Sequence, residues 1–142
     1  MAHVRIVRET PLPAAEAWQR LTDWEQHGAV VPLTRVTVTT PPPTAAGTLF
    51  VARTGTDRIG FDDPMEVVAW QPPRRCRLVK RGRIVKGWAE IEVRALGADA
   101  SVVEWREELH VRGVPALADP VLALAGRLMF TWTIKGLLKK GS

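Results

Sequence analysis

The sequence predicts an α+β fold, a curved antiparallel sheet of about seven strands wrapped around a long C-terminal helix, with two short helices after the first strand. Three observations carry this. Strand-like runs follow one another from Arg35 to Val111 without helical segments between them, so there is no βαβ alternation and no case for a parallel sheet. Helical periodicity is confined to residues 14–29 and to the stretch after Gly113. That last stretch is apolar over much of its helical circumference, and such a helix must be covered.

The elements follow in order. Val4 and Ile6 alternate with Arg5 and Val7, the period-2 signal of a strand, which Thr10-Pro11-Leu12-Pro13 ends. Ala14 to Asp23 reads as a helix. Pro13 suits its first turn, and Ala14, Ala17, Trp18 and Leu21 share one face. A second helix is expected from Trp24 to about Ala29, with Gly28 near its end and Pro32 beyond. Arg35 to Thr40 is rich in β-branched residues and stops at Pro41-Pro42-Pro43. Gly47 to Thr54 is the next strand. Arg58 to Phe61 and Met65 to Trp70 read as one strand interrupted by a bulge at Asp62-Asp63-Pro64.

Cys76 to Lys80 and Ile84 to Ala95 flank Arg81-Gly82-Arg83, a hairpin signal. Ser101 to Val111 follows the turn at Gly97-Ala98-Asp99. In the final helix Asp119 is a natural N-cap and Pro120 a natural first residue. Leu117, Val121, Leu124, Leu128 and Trp132 recur on one stripe, which is read as the core face. Ala118, Leu122, Ala125 and Met129 form a second row. Lys135, Lys139 and Lys140 lie where cations favour a helix C-terminus.

The length of 142 residues fits one domain, 1–142. A lone cysteine, Cys76, excludes an intrachain disulfide and any multi-cysteine metal site. Three separated histidines lack ligand spacing, so no metal is expected. The N-terminus has no apolar leader, and Asp119, Pro120 and Arg127 interrupt the apolar stretch from Val114 to Ile134. The expectation is a cytoplasmic protein with no membrane span. Six Trp and no Tyr point to rings in a core or cavity wall.

The net charge of +5 gathers around Arg74, Arg75, Arg77, Lys80, Arg81, Arg83 and Lys86, seven cations without an acid between them. No aromatic for base stacking is interleaved there, which argues against nucleic acid. A solvated, edge-protecting face is one reading, and a docking site for an acidic protein partner the other. There is no Gly-rich phosphate loop, Gly-x-Ser-x-Gly or His-Glu-x-x-His, so no cofactor is expected and the motif-defined enzyme classes fall away. Monomer and homodimer both remain open.

Three stretches resemble the START/Bet v1-like (SRPBCC) superfamily, especially its polyketide cyclase/dehydrase-like branch. Residues 13–23 resemble its opening helix, and residues 61–74, Phe-Asp-Asp-Pro-Met-Glu-Val-Val-Ala-Trp-Gln-Pro-Pro-Arg, its middle strand and proline-marked turn. Residues 102–109 resemble the strand before its long helix. The resemblance implies a helix-grip fold with a cavity between sheet and helix that holds a lipid-, polyketide- or aromatic-like molecule. It carries over no catalytic residue.

On the last strand, Val103, Trp105, Glu107, Leu109 and Val111 share one parity. If that face meets the cavity, Glu107 lies inside, where a carboxylate could act as general acid or base. Alternatively Glu107 pairs with Arg53, read as facing inward beside Leu49 and Val51. The expected ligand wall is Trp18, Val51, Val67, Ile91, Trp105, Leu124, Leu128 and Trp132. Two functions follow from the cavity, and a protein-interaction module using the basic hairpin 74–86 is the third. One is binding of a hydrophobic small molecule. The other is a cyclase, aromatase or dehydratase in which Glu107 moves a proton and Arg53 stabilises an oxyanion. The acidic pair Asp62-Asp63 is assigned to turn or bulge chemistry, since adjacent strand residues face opposite ways.

Overall fold

The structure, a computed structural model, describes residues 2–56 and 58–139. Strand β1 (Ala2–Thr10) leads to helices α1 (Ala14–Leu21) and α2 (Trp24–Val30). Six strands follow: β2 (Thr34–Val38), β3 (Leu49–Gly55), β4 (Gly60–Gln71), β5 (Arg75–Arg81), β6 (Val85–Ala95) and β7 (Ser101–Val111). A 3-10 turn at Ala116–Ala118 precedes helix α3 (Asp119–Lys139). The sheet is antiparallel throughout, in the order β1-β7-β6-β5-β4-β3-β2. The strands after β2 are joined edge to edge in sequence. Only the α1–α2 segment crosses from one edge of the sheet to the other.

Period-2 alternation sets which face is covered. Val4 and Ile6, Val103 and Trp105, Ile91 and Val93, Cys76 and Leu78, Val67 and Phe50 are all buried in one core with Trp18, Leu21 and Trp24 from α1 and α2. Burying this apolar area is the main term holding sheet and helices together. β4 runs unbroken through Asp62-Asp63-Pro64. The irregularity lies instead between Val67 and Ala69, where the register against β5 shifts. Pro64 is tolerated because the β4–β5 ladder begins only at Met65–Lys80, while Pro64 itself lies opposite Val51 of β3.

α3 departs from expectation in two ways. Asp119 has helical angles (φ −52°, ψ −41°) and is the first residue of the helix rather than its cap. The stripe read as the core face points away from the sheet: Leu117, Val121, Leu124, Leu128 and Trp132 are all exposed. A helix apolar on both sides gives periodicity no means of choosing, and here the tighter face wins. A Cβ on Gly126 would stand 3.2 Å from Val4 Cγ2 and 3.6 Å from Leu109 Cδ1, so this glycine is where helix and sheet approach closely. Beyond it the C-terminal half buries Thr133, Ile134, Leu137 and Leu138. Arg20 secures that end, donating from Nη1 to the Leu138 carbonyl at 2.6 Å and from Nη2 to Glu16 Oε1 at 2.6 Å. Helix-end carbonyls need such partners.

Candidate functional site

A cavity of about 480 Å³ lies between the sheet and the N-terminal half of α3, within the range of small-molecule sites. The inward parity of each strand builds its wall: Phe50, Ala52 and Thr54 from β3, Phe61, Asp63 and Met65 from β4, Leu78 and Lys80 from β5, Ala89 from β6, and Trp105, Glu107 and Leu109 from β7. Trp24 and His27 of α2 and Leu122, Gly126, Met129 and Phe130 of α3 complete it. Trp24 stacks on Phe50 at 4.8 Å, and Trp105 on Phe130 at 5.5 Å.

Into this apolar space project three charged side chains. Glu107 is 1 % exposed. Its Oε1 accepts a 3.2 Å bond from Trp105 Nε1. Lys80 Nζ donates to Asp63 Oδ2 at 2.7 Å and reaches Met65 Sδ at 3.7 Å. The other two carboxylate oxygens, Glu107 Oε2 and Asp63 Oδ1, are buried and find no partner among the described residues. Opposite Lys80 and Leu109 stands Gly87 at φ +136°, where a Cβ would collide with the Glu108 carbonyl, so the strands close up only around glycine.

Burial sets the protonation states. It pushes Glu107 up to about 7, against the pull of Lys80 and of the Trp105 bond. Burial would lower Lys80, but the charges of Glu107 and Asp63 outweigh it and hold the ammonium above its ordinary range. His27 lines the same cavity between Trp24 and Trp105, with ring centroids 5.6 and 5.9 Å away. Its Nε2 lies 2.7 Å from the Leu21 carbonyl, which can only accept, so Nε2 carries the proton and Nδ1 is left as an acceptor. Burial lowers its pKa, in part offset by that carbonyl.

Of the side chains expected on the wall, Trp105 is there. Trp18, Val67 and Ile91 are buried in the core behind it. Val51 shares the outer face of β3 with Arg53, because the inward parity is that of Phe50, Ala52 and Thr54. Leu124 (59 % exposed), Leu128 (65 %) and Trp132 (64 %) lie on the outside of α3, where Trp132 Nε1 donates to the Val30 carbonyl at 3.0 Å. Arg53 does not meet Glu107. It pairs with Asp62 Oδ1 at 3.5 Å and donates to the Thr56 carbonyl at 3.1 Å. The cation facing Glu107 is Lys80, which sequence reading counted with the basic run, although its i, i+2, i+4 relation to Cys76 and Leu78 marks it as inward. Asp63 is the second missed residue. It alternates with Phe61 and Met65, while Asp62 faces out.

Four of the seven cations of the basic run, Arg75, Arg77, Lys80 and Arg81, meet carboxylates on neighbouring strands. Arg75 and Arg77 donate to Glu90 Oε1 at 2.9 and 2.6 Å, Arg106 bonds Glu90 Oε2, and Arg81 reaches Glu66 Oε1 at 3.2 Å. Burial would raise Glu90, but the arginines outweigh it and hold the carboxylate below its usual range. Arg77 also sits 4.5 Å over Trp88, whose Nε1 donates to Glu108, so Trp88 belongs to the outer face. Burial pushes the Cys76 thiol up to about 12, which removes it as a nucleophile.

Known proteins bear on this arrangement. The sequence model of a family described as polyketide cyclase / dehydrase and lipid transport matches residues 1–141. No curated protein matches the chain in sequence. Among solved structures, the Zhui aromatase/cyclase from a Streptomyces species superposes with a TM-score of 0.76 at 13% identity, covering 96% of this chain and 90% of that one. A START superfamily protein from Mycobacterium smegmatis gives 0.77 at 12% identity, over 97% and 95%. A protein from Thermobifida fusca gives 0.75 at 20% identity, over 99% and 93%. At these identities the likeness shows the fold, which is the helix-grip arrangement of a curved seven-stranded sheet and a long C-terminal helix. With the match over nearly its whole length, the chain belongs to the polyketide cyclase/dehydrase and lipid transport family.

Proposed function

We propose that this protein binds a largely apolar small molecule carrying a hydroxyl group, with the hydroxyl placed against Glu107 and Asp63. One observation supports this above the rest: two buried carboxylate oxygens, Glu107 Oε2 and Asp63 Oδ1, lack partners among the described residues, in a wall otherwise almost wholly apolar. A buried acceptor without a donor costs about 1–3 kcal/mol, so a ligand that supplies the donor recovers that penalty. A hydroxyl suits Glu107 in either state, donating to the carboxylate or accepting from the acid. The aromatic surfaces of Trp24, Trp105, Phe50 and Phe130 favour a flat or ring-containing body.

A second reading is supported by the raised pKa of Glu107. A carboxyl group poised near 7 inside a largely apolar cavity is suited to proton transfer, as a cyclase or dehydratase requires. In that case Glu107 is the acid or base, and Lys80, rather than Arg53, is the cation able to stabilise a developing enolate oxygen.

Native mass spectrometry of the chain purified from its own host, with and without Glu107→Gln, tests the binding reading. Copurification of an apolar hydroxylated compound with the parent chain is expected. A cavity that copurifies nothing and takes up no hydroxylated aromatic probe in titration counts against it.

A further inference from the structure

The outer face of the sheet is electrostatically divided. Over much of it cations meet carboxylates. Arg75, Arg77 and Arg106 surround Glu90, Arg5 and Arg94 reach Glu104, and Arg81 reaches Glu66. Where the β5–β6 turn meets the last residues of β7 this compensation stops. Arg83, Lys86, His110 and Arg112 converge there around a hollow of about 310 Å³. All four are exposed, and none forms an ion pair or side-chain hydrogen bond among the described residues.

Backbone geometry brings them together. Val85 and Val111 are partners across β6 and β7, and both line the internal cavity. Lys86 and His110, the next pair in that register, therefore face outward. Arg112 N donates to the Ile84 carbonyl at 2.7 Å, which ties the chain after β7 to the residue following Arg83. On its other side Lys86 lies opposite Arg81, so one row across the strands reads Arg81, Lys86, His110. Gly82 sets the turn: a Cβ there would stand 2.9 Å from Pro64 Cδ, so the turn closes onto β4 most readily with glycine.

Like charges directly opposite each other destabilise a sheet. Arg81 and Lys86 hold that relation, and Arg83 and Arg112 add two further permanent cations at the rim. An anion seated among them removes the repulsion. We propose that this hollow binds a compact phosphate-bearing anion of the diphosphate or phosphate monoester class, on the reverse side of strands that line the apolar cavity. Arginine forks and a lysine ammonium are the donors that phosphate oxygens accept from. The volume stands at the lower end for small-molecule sites, which suits a phosphate group with little attached to it. No aromatic side chain lines the hollow for base stacking, so a nucleic acid strand is the poorer occupant. An acidic protein face is the poorer fit too, because the side chains converge on a recess rather than spread over a plane.

The test is calorimetric titration of the full chain, at low ionic strength, with sodium pyrophosphate and with inorganic phosphate. Sodium chloride at matched ionic strength is the control. Saturable one-site binding is expected, tighter for pyrophosphate and weakening as salt rises. Lys86→Ser/Arg112→Ser should lower pyrophosphate affinity at least about tenfold. Pyrophosphate should raise the Tm of the parent and not of the variant. Without anion the variant should be at least as stable as the parent, because a repulsion has gone. Amide chemical shifts of the parent on adding pyrophosphate give a second measurement that needs no variant, and the changes should concentrate at residues 83–86 and 110–112. Changes centred elsewhere, equal Tm gains in parent and variant, or no saturable binding of pyrophosphate overturn the proposal. Binding of polyglutamate by a chain that ignores pyrophosphate also overturns it and assigns the surface to an acidic protein. Uptake of a hydroxylated aromatic probe by the cavity should be unchanged in the variant, so the two sites are read apart.

Discussion

Trp105 and Glu107 stand two residues apart on one face of β7, and the indole Nε1 donates to the carboxylate Oε1 across 3.2 Å. That bond uses one oxygen of Glu107 and leaves the other directed at no described donor. The pair therefore fixes the position of the carboxyl without satisfying it.

Glu107→Gln should change the pH dependence of stability in a defined sense. The folded state raises this pKa from 4.5 to about 7, so unfolding releases a proton between those values. For this group stability is greatest below about 4.5, falls as pH rises and levels off above about 7, with a slope of at most about 1.4 kcal/mol per pH unit. His27 works oppositely in part of this window, since its lowered pKa favours the folded state as pH rises. The difference between parent and variant isolates Glu107. Chemical denaturation from pH 4 to 8 should show the variant gaining relative stability as pH rises. A flat difference would remove the carboxyl from the titration.

Lys80→Met should be costly. It leaves Asp63 and Glu107 buried without their cation, and breaking a buried pair from one side costs about 3–5 kcal/mol. Combining it with Asp63→Leu should recover most of the loss, because the uncompensated charge leaves too. Urea midpoints of the single and double variants provide the comparison.

The two faces of α3 should respond unequally to truncation. Leu137 is 2% exposed, and Leu137→Ala should cost about 2–5 kcal/mol. Leu128→Ala, on the exposed stripe, should stay within about 0.5 kcal/mol of the parent. Equal thermal shifts would contradict the placement of the helix.

Ala89 lines the cavity between Leu78 and Glu107 on its neighbouring strands. Ala89→Leu adds volume where space exists, so it should cost less than the roughly 1–3 kcal/mol of an overpacked core. It should also weaken uptake of a fluorescent naphthalene probe, measured by titration. Unchanged uptake would mean that the probe sits elsewhere.

How far the sequence reveals this molecule depends on which interaction decides each feature. Strand parity is local, so the inward position of Glu107 follows from the alternation of Val103, Trp105 and Leu109 alone. Parity failed on β3, where Leu49, Val51, Arg53 and Phe50, Ala52, Thr54 both mix apolar and polar character. Only the packing of Phe50 on Trp24 settles it. The same ambiguity hid the orientation of α3, decided by the contact of Gly126 with Val4. The partners of the basic run were invisible for a different reason. Glu66 and Glu90 lie outside the run and reach it only through the registers of β4–β5 and β5–β6. Lys80 illustrates both effects, being a cation by composition and a core residue by position.

The aromatic layer under the cavity has a consequence for ligand length. Trp24 stacks on Phe50 at the wall, and behind it Trp70 lies 6.3 Å away, itself 5.1 Å from Trp18. Rings packed two deep are hard to push aside, so the cavity has a fixed floor. Its measure runs from that floor to the mouth near Met129, and molecules longer than this span must leave a tail in the surroundings. In the proposed binding role such a floor would act as a ruler for the length of the ligand, and Trp24→Ala would lower the ruler's zero mark by about the thickness of one ring.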